Sequence, residues 1–368
     1  MKILMCIAGL SAGGGEGQFL KLAKGLQDAG HDVRIHVFGR RKAVHYHEIE
    51  QWNIPLYFSE IQRGEKWRAF FIILRDIKKN VEDFQPQILF GTLFIASCAV
   101  RLAKIFRFTK ARIVSTIRTD YQKCFSPWYK CVESVLCCVN DALVTNHKPT
   151  YEFFRTKIGN RAGYIPNGIP VEKGGAFTDD GVKPSLTVFL SVGRLVMEYK
   201  KQDVLLFALA DLCKRKPSCL WKCLILGDGK DRDHLEKMIR EMNLCDRVEI
   251  RKSVENIRPY YHDADALVHN SVLEGCPNAV LEAMCMEKPV IASAYIGKLG
   301  IIMDGENGLV ARSDDAESLA DKLSEFIEME QGRRIRMGKN ARLFVLEHFS
   351  EQTMIKAHIK LFEHILKI

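Results

Sequence analysis

The sequence reads as an α/β protein built from two parallel-sheet domains, and three features carry that reading. Short apolar runs alternate with helix-period segments along most of the chain, the pattern of repeated βα units. The alternation stops at a Gly-, Asp- and Lys-rich stretch over 171–184 and then restarts, which marks a linker. At 368 residues the chain is also longer than one hydrophobic core serves well.

Taken in order, apolar runs predict strands over 2–8, 33–38, 54–58, 87–90, 112–116, 142–145 and 163–165. Helical spacing falls between them over 17–27, 67–81, 96–107, 129–138 and 150–157, and the turn residues Ile165-Pro166-Asn167-Gly168 close the first half. The second half offers strands over 186–192, 222–226, 247–250, 266–269, 290–294 and 309–311, with helices over 202–214 and 232–242. Residues 313–368 are helical almost throughout. The first run mimics a signal peptide, but its apolar core is short and it enters Gly13-Gly14-Gly15-Glu16 with no small-residue cleavage site. The mainly apolar part of the next long uncharged stretch, over 88–100, has 13 residues. A span needs about 18–20, so no transmembrane helix is expected.

Composition marks a globular protein, 47% apolar and 27% charged. Twelve cysteines form no Cys-x-x-Cys pair, so neither a zinc site nor a disulfide framework is expected. Free Cys6, Cys98 and Cys223 sit in apolar runs as small hydrophobes, and unpaired thiols point to a reducing, cytoplasmic setting. Residues 1–170 hold 25 Lys and Arg against 14 Asp and Glu, an excess of 11, whereas the remainder is acidic by 2. Over 101–130 the cations are Arg101, Lys104, Arg107, Lys110, Arg112, Arg118, Lys123 and Lys130, against Asp120 alone. Aromatics interleave with such charges at Trp67, Phe70 and Phe71, at Phe106 and Phe108, and at Trp128 and Tyr129. No nucleic-acid module accompanies them, so the expected partner of this basic half is an anionic membrane surface rather than nucleic acid.

The most informative segment is Glu274-Gly275-Cys276-Pro277-Asn278-Ala279-Val280-Leu281-Glu282. Pro277 suits the first position of a helix, and the apolar run after it predicts a buried helix ending near 287–289. Glu274 then lies just ahead of a helix N-terminus and Glu282 about a turn inside it. The unpaired N–H groups and positive dipole end between them suit a phosphate, and the carboxylates suit the hydroxyls of a sugar nucleotide.

This segment, with Lys288-Pro289 and Asp304-Gly305-Glu306-Asn307-Gly308 beyond it, resembles the donor half of retaining glycosyltransferases of family 4, whose hallmark is Glu-x7-Glu. The resemblance covers most of the chain and is strongest over 191–310. It implies the GT-B architecture, in which two Rossmann-like βαβ domains face each other across a cleft and a C-terminal helix crosses back to the first domain. The implied domains are an acceptor-binding one over 1–168 with 350–368 and a nucleotide-sugar-binding one over 169–349. Met354, Ile355, Ile359, Leu361, Phe362, Ile365 and Leu366 would dock the returning helix.

The resemblance also assigns roles. Gly193-Arg194-Leu195 with Lys200 matches the family element whose Arg and Lys grip the donor diphosphate. Lys200 is preferred to Lys201 for its spacing. Glu274 would meet the transferred sugar and Glu282 the ribose, with backbone of Gly275, Cys276, Pro277 and Asn278 adding hydrogen bonds. Gly227 and Gly229 flank Asp228 in the loop beside the base. Gly14 and Gly15, in a loop before the first helix, would face the donor phosphates, with Glu16 toward the acceptor and Arg118 toward an anionic acceptor or the donor phosphate. The chemistry implied is metal-independent transfer with retention, from a nucleotide sugar (UDP-sugar favoured) to a lipid-linked or polysaccharide acceptor, with no cofactor. Asp263-Ala264-Asp265 resembles a metal-binding Asp-x-Asp but leads into a strand, and His147, His262 and His269 lack ligand spacing.

Three positions depart from the family pattern. Ser115-Thr116-Ile117-Arg118-Thr119-Asp120 stands where Thr-x-His is common, Gly300-Ile301-Ile302 replaces Glu-Ile-Ile, and Glu287 replaces a glycine. Two other functions compete: a catalytically silent sugar-nucleotide-binding subunit of a glycan-assembly complex, and a nucleotide-sugar epimerase.

Overall fold

The computed structural model describes residues 1–10, 13–39, 49, 51–59, 61, 66–171, 186–254 and 256–367. The expected linker lies almost wholly outside them, as does the side chain of Trp67. The chain forms two compact units, Met1–Gly168 with Ser350–Ile368, and Ile169–Phe349. No helix among the described residues is long and apolar enough to cross a membrane.

The first unit is a seven-stranded parallel sheet in the order β3-β2-β1-β4-β5-β6-β7. Its strands are β1 (Lys2–Ile7), β2 (Asp32–Val37), β3 (Leu56–Phe58), β4 (Ile88–Thr92), β5 (Arg112–Ile117), β6 (Ala142–Thr145) and β7 (Ala162–Tyr164). Helix α1 (Gly14–Asp28) follows β1, α2 (Lys66–Phe84) follows β3, and α3 (Leu93–Ile105) follows β4. A short α4 (Tyr121–Cys124) and α5 (Pro127–Leu136) follow β5, and α6 (Lys148–Ile158) follows β6. The strands are continuous apolar runs because both faces are covered. One face meets Phe19, Leu22 and Leu26 of α1; the other meets Ile77 and Val81 of α2 and Val100 and Ala103 of α3.

The last helix, α15 (Glu351–Lys367), belongs to this unit. Met354, Phe362 and Ile365 are buried in its core, and Ile355, Ile359, Leu361 and Leu366 pack at the edge. The approach to α1 is close enough that a Cβ on Gly25 would stand 2.1 Å from Ile355 Cδ1.

The second unit is a six-stranded parallel sheet in the order β10-β9-β8-β11-β12-β13. Its strands are β8 (Thr187–Val192), β9 (Trp221–Leu226), β10 (Val248–Arg251), β11 (Ala266–His269), β12 (Val290–Ser293) and β13 (Gly308–Ala311). Between and after them run α7 (Met197–Lys200), α8 (Gln202–Arg215), α9 (Arg232–Glu241), α10 (Arg258–Asp263), α11 (Asn278–Cys285), α12 (Ala294–Lys298), α13 (Ala316–Glu328) and α14 (Gln331–His348). Helices α8, α9 and α13 cover one face and α11 and α14 the other. In both units the strand order reverses once, at β1/β4 and at β8/β11. Ligands of open α/β sheets bind outside the strand carboxyl ends at such reversals.

Three local expectations are corrected, and the joint at Lys200–Lys201 is defined. Gly14, Gly15 and Glu16 form the first turn of α1 rather than a loop, with Gly13 as N-cap. Pro277 is the N-cap of α11, with φ −77° and ψ 98°, so that helix begins at Asn278. Lys200 ends a short helix, and Lys201 (φ 55°) is the left-handed joint before α8. Arg101 is not a surface cation: it is fully buried, donating to both oxygens of Glu133 at 2.7 and 2.6 Å, to Asn140 Oδ1 at 3.0 Å and to Ser115 Oγ at 2.7 Å.

Glu287, the departure from glycine, now has a physical reading. The amide of Glu287 bonds Met284 O at 3.0 Å and that of Lys288 bonds Ala283 O at 2.9 Å, a Schellman ending of α11 with Glu287 at φ 56°. A left-handed side-chain residue costs roughly 1–2 kcal/mol. Glu287→Gly is therefore expected to raise stability by about 1 kcal/mol in urea titration. For the buried pair, Arg101→Met or Glu133→Leu alone should each cost about 3–5 kcal/mol, while the double replacement recovers most of that loss in a double-mutant cycle.

Candidate active site

Two chain segments emerge at the β8/β11 reversal of the second unit: residues 193–200 after β8 and residues 270–277 after β11. They meet through backbone first. Val272 N donates to Tyr199 O at 2.8 Å, and Ser271 Oγ to the same oxygen at 3.0 Å. Ser293 Oγ at the end of β12 holds Ser271 O at 2.6 Å. The Tyr295 hydroxyl donates to Glu274 O at 3.0 Å and accepts from Glu274 N at 3.3 Å. The Glu274 loop is thereby fixed to the segment after β8, to the end of β12 and to the helix that follows it.

That backbone brings Lys200 Nζ onto Glu274 Oε1 as an ion pair. His269 Nε2, at the end of β11, stands 3.1 Å from the same oxygen and donates to it. Both donors use Oε1, and no hydrogen bond among the described residues reaches Oε2. The Glu274 side chain is only 15% exposed. Burial would raise its pKa, but the Lys200 charge and the His269 hydrogen bond overcome this and bring it down to about 2. Burial lowers the His269 pKa, so the ring is neutral and its Nε2 carries the proton.

Arg194 is exposed, with its guanidinium 5.9 Å from the Tyr199 ring centroid and its carbonyl held by Gln202 Nε2 at 2.8 Å. Lys201 pairs instead with Asp314 at 3.0 Å. Beside Glu274 begins α11, which has no side-chain cap and no acidic residue in its first turn, so no side chain of the helix itself offsets its positive end. Gly275 and Asn278 are half-buried and Cys276 and Pro277 buried around that start. Glu282 lies in the second turn and accepts from the hydroxyl of buried Tyr261 at 3.1 Å. Burial, then the Glu282 charge, pushes the Tyr261 pKa well up, keeping it a donor.

Gly227 and Gly229 serve packing. A Cβ on Gly227 would stand 1.9 Å from Gly193 O, and one on Gly229 would stand 2.2 Å from Leu195 O. The two loops touch as backbone, sealed by Leu195 N to Asp228 O at 3.0 Å and Met197 N to Asp231 Oδ2 at 2.8 Å. Of the Asp-x-Asp pair, Asp265 accepts from Val188 N at 2.8 Å as a strand anchor and Asp263 faces His262 at 3.0 Å on the surface. No group of three or more possible metal ligands occurs among the described residues.

In the first unit, Glu16 lies in the first turn of α1 and Arg118 follows β5, both at the carboxyl edge of that sheet. Arg118 donates to Asn167 Oδ1 at 2.5 Å, which also accepts from Asn146 Nδ2 at 2.9 Å. Residues that sequence reasoning missed are His269, Tyr261, Tyr199 and Tyr295. The one available signal was His269, a polar residue closing an apolar strand directly before the site loop.

Comparison with known proteins gives the family. A family model described as Glycosyltransferase Family 4 matches residues 12–173, and one described as Glycosyl transferases group 1 matches residues 178–344. The curated Campylobacter jejuni protein named GalNAc-alpha-(1->4)-GalNAc-alpha-(1->3)-diNAcBac-PP-undecaprenol alpha-1,4-N-acetyl-D-galactosaminyltransferase is 27% identical over 368 residues, covering 96% of this chain and 97% of its own. A solved glycosyltransferase from Rickettsia africae superposes with TM-score 0.84 at 18% identity, over 99% of this chain and 98% of its own. Anabaena HepE in complex with UDP and glucose gives TM-score 0.80 at 18% identity, over 99% and 100%. Two doubly wound units of this order, with such neighbours, define the GT-B fold. Within that class the chain belongs to glycosyltransferase family 4.

The depressed Glu274 pKa sets a pH prediction. Its folded value lies below the ordinary 4.5, so its stabilisation is present above pH 4.5 and is lost as pH falls toward 2. Glu274→Gln should remove up to roughly 3 kcal/mol of the acid-dependent loss of stability, measured by urea midpoints across that window.

Proposed function

We propose that this glycosyltransferase moves a hexose or N-acetylhexosamine from a UDP-sugar to a lipid-linked or polysaccharide acceptor in cell-surface glycan assembly, with retention and without a metal ion. It works in the cytoplasm, peripheral to the inner face of a membrane. The observation that carries the reading is the Lys200–Glu274 pair at the β8/β11 reversal, next to the uncapped start of α11. A cation, a helix N-terminus and an ionised carboxylate side by side suit a diphosphate with a polyhydroxyl group attached. The lipid-linked acceptor is supported by the undecaprenol-containing name of the Campylobacter relative, and the donor base by the UDP complex of HepE.

In this reading Lys200 and Arg194 hold the diphosphate, with the amides near Gly275–Asn278. Glu274 turns Oε2 to a sugar hydroxyl while His269 keeps Oε1, and Glu282 takes the ribose. Gly14 and Gly15 offer backbone to the donor phosphates, and Glu16 and Arg118 serve the acceptor. Gly227 and Gly229 hold the loop beside the base close against the segment after β8. The acceptor hydroxyl attacks on the face the diphosphate leaves, and the departing phosphate oxygen takes its proton. Rate then comes chiefly from stabilising leaving-group charge.

Thermal-shift titration with UDP-, GDP- and ADP-sugars, then turnover with lipid-linked acceptors, tests the reading. Lys200→Ala or Arg194→Ala should lower kcat by roughly 10²–10³, and Glu274→Ala should abolish transfer with UDP affinity little changed. His269→Leu should raise the donor KM by roughly tenfold to a hundredfold, with His269→Gln partly restoring it. Stabilisation by none of the three nucleotide sugars would end the proposal.

A further inference from the structure

Helix α5 is built inside out. Its inward side carries Glu133, 1% exposed and paired with the fully buried Arg101. Its outward side carries an apolar row at helical spacing: Trp128 at 69% exposure, exposed Cys131, Val135 at 67%, and exposed Cys138 just beyond its end. A soluble surface helix has the opposite polarity. Tyr129 extends the patch to α3, its ring 4.5 Å from Phe94, next to Ile95 at 55% exposure. Those contacts place the first turn of α5 against the first turn of α3, at the carboxyl edge of the sheet where Glu16 and Arg118 also lie.

The rim around this row is cationic. Lys123, Lys130, Lys148, Arg155, Lys157 and Arg161 fall within 121–161. Lys157 Nζ of α6 reaches Ser134 Oγ at 3.2 Å and Arg161, just past α6, donates to Cys138 O at 2.8 Å, so these two cations abut α5 and the turn at its end. The acids of that stretch are consumed or sparse: Glu133 by Arg101, Asp141 by Lys104 and Arg112, leaving Glu152 exposed. An apolar row headed by Trp and Tyr inside a cationic rim complements an anionic bilayer, with rings at headgroup depth and lysines at phosphates.

We infer that the Trp128–Val135 face of α5 is the element this chain inserts into an anionic bilayer, seating the first sheet's carboxyl edge at the headgroup level. The inference rests on the membrane-acting reading proposed above and names the surface that performs it. A lipid-linked acceptor would then present its head at the edge carrying Arg118 without leaving the membrane.

The test uses the full chain with vesicles of phosphatidylglycerol in phosphatidylcholine, and with phosphatidylcholine alone. Wild type should bind the anionic vesicles, and brominated lipid should quench a tryptophan signal that Trp128→Phe removes. Trp128→Ser with Val135→Ser should weaken partitioning by roughly tenfold. Each of Lys123→Gln, Lys130→Gln and Lys157→Gln should weaken it by about fivefold. UDP affinity and circular dichroism should not move in any variant. Binding with Trp128 unquenched and the serine variant unaffected would overturn the α5 assignment while leaving the membrane reading intact. A serine variant that instead changes oligomeric state would assign the row to a second copy of the chain and overturn it too. Failure of wild type to bind either vesicle would sink both the membrane reading and this inference.

Discussion

The buried carboxylate of Glu274 is the constraint around which the second unit is organised. A carboxylate out of water is costly unless a cation and hydrogen bonds compensate. Here compensation arrives from two directions on one oxygen, Lys200 from the segment after β8 and His269 from the strand beneath. The pair is therefore poised between stability and exchange. Lys200 has three donors, and a diphosphate offers it stronger charge than a single carboxylate. Movement of the lysine toward an incoming diphosphate would still leave Glu274 held by His269 and its backbone held by Tyr295.

Strand order is what makes this meeting possible. Lys200 and Glu274 are far apart in sequence, yet β8 and β11 are hydrogen-bonded neighbours, so the segments leaving their carboxyl ends share one crevice. The same reversal pulls in the loop after β9, because Gly193 and Leu195 must be approached by bare backbone at Gly227 and Gly229. Three loops, each short and each tied by main-chain hydrogen bonds, give a site whose geometry depends on sheet register rather than on side-chain packing alone.

Residues that act through local spacing were legible in the sequence. Glu274 and Glu282 are separated by a turn and one helical turn, and Arg194 follows an unmistakable strand end, so pattern and family resemblance reach them. The βα rhythm likewise announced both sheets, because strands covered on both faces must be apolar runs. What escaped were partners set by tertiary contact. Tyr261 meets Glu282 from another helix, and Tyr295 meets Glu274 from beyond β12. Arg101 escaped for the opposite reason: it stands in a run of eight cations, and only its partner Glu133, 32 residues away, shows that it is core. Gly14 and Gly15 read as loop because glycine is a poor helix former, although the first turn of a helix tolerates it where N–H groups have no intrahelical partner.

The Arg101–Glu133 pair also explains why α5 keeps its unusual polarity. Hydrophobic burial alone would favour rolling the helix half a turn to hide Trp128 and Val135. That roll would carry Glu133 to the surface and strand Arg101 in the core with only Asn140 and Ser115, an uncompensated charge costing about 3–5 kcal/mol. Burying the exposed side chains returns about 1.5–3 kcal/mol each, but a rolled helix must also expose Leu136 and Val132, which are half-buried now. The gain shrinks toward nothing and the ionic cost remains. A fully buried, bidentate ion pair thus fixes the rotation of a surface helix, and the apolar row stays turned outward because the core charge beneath it cannot be left alone.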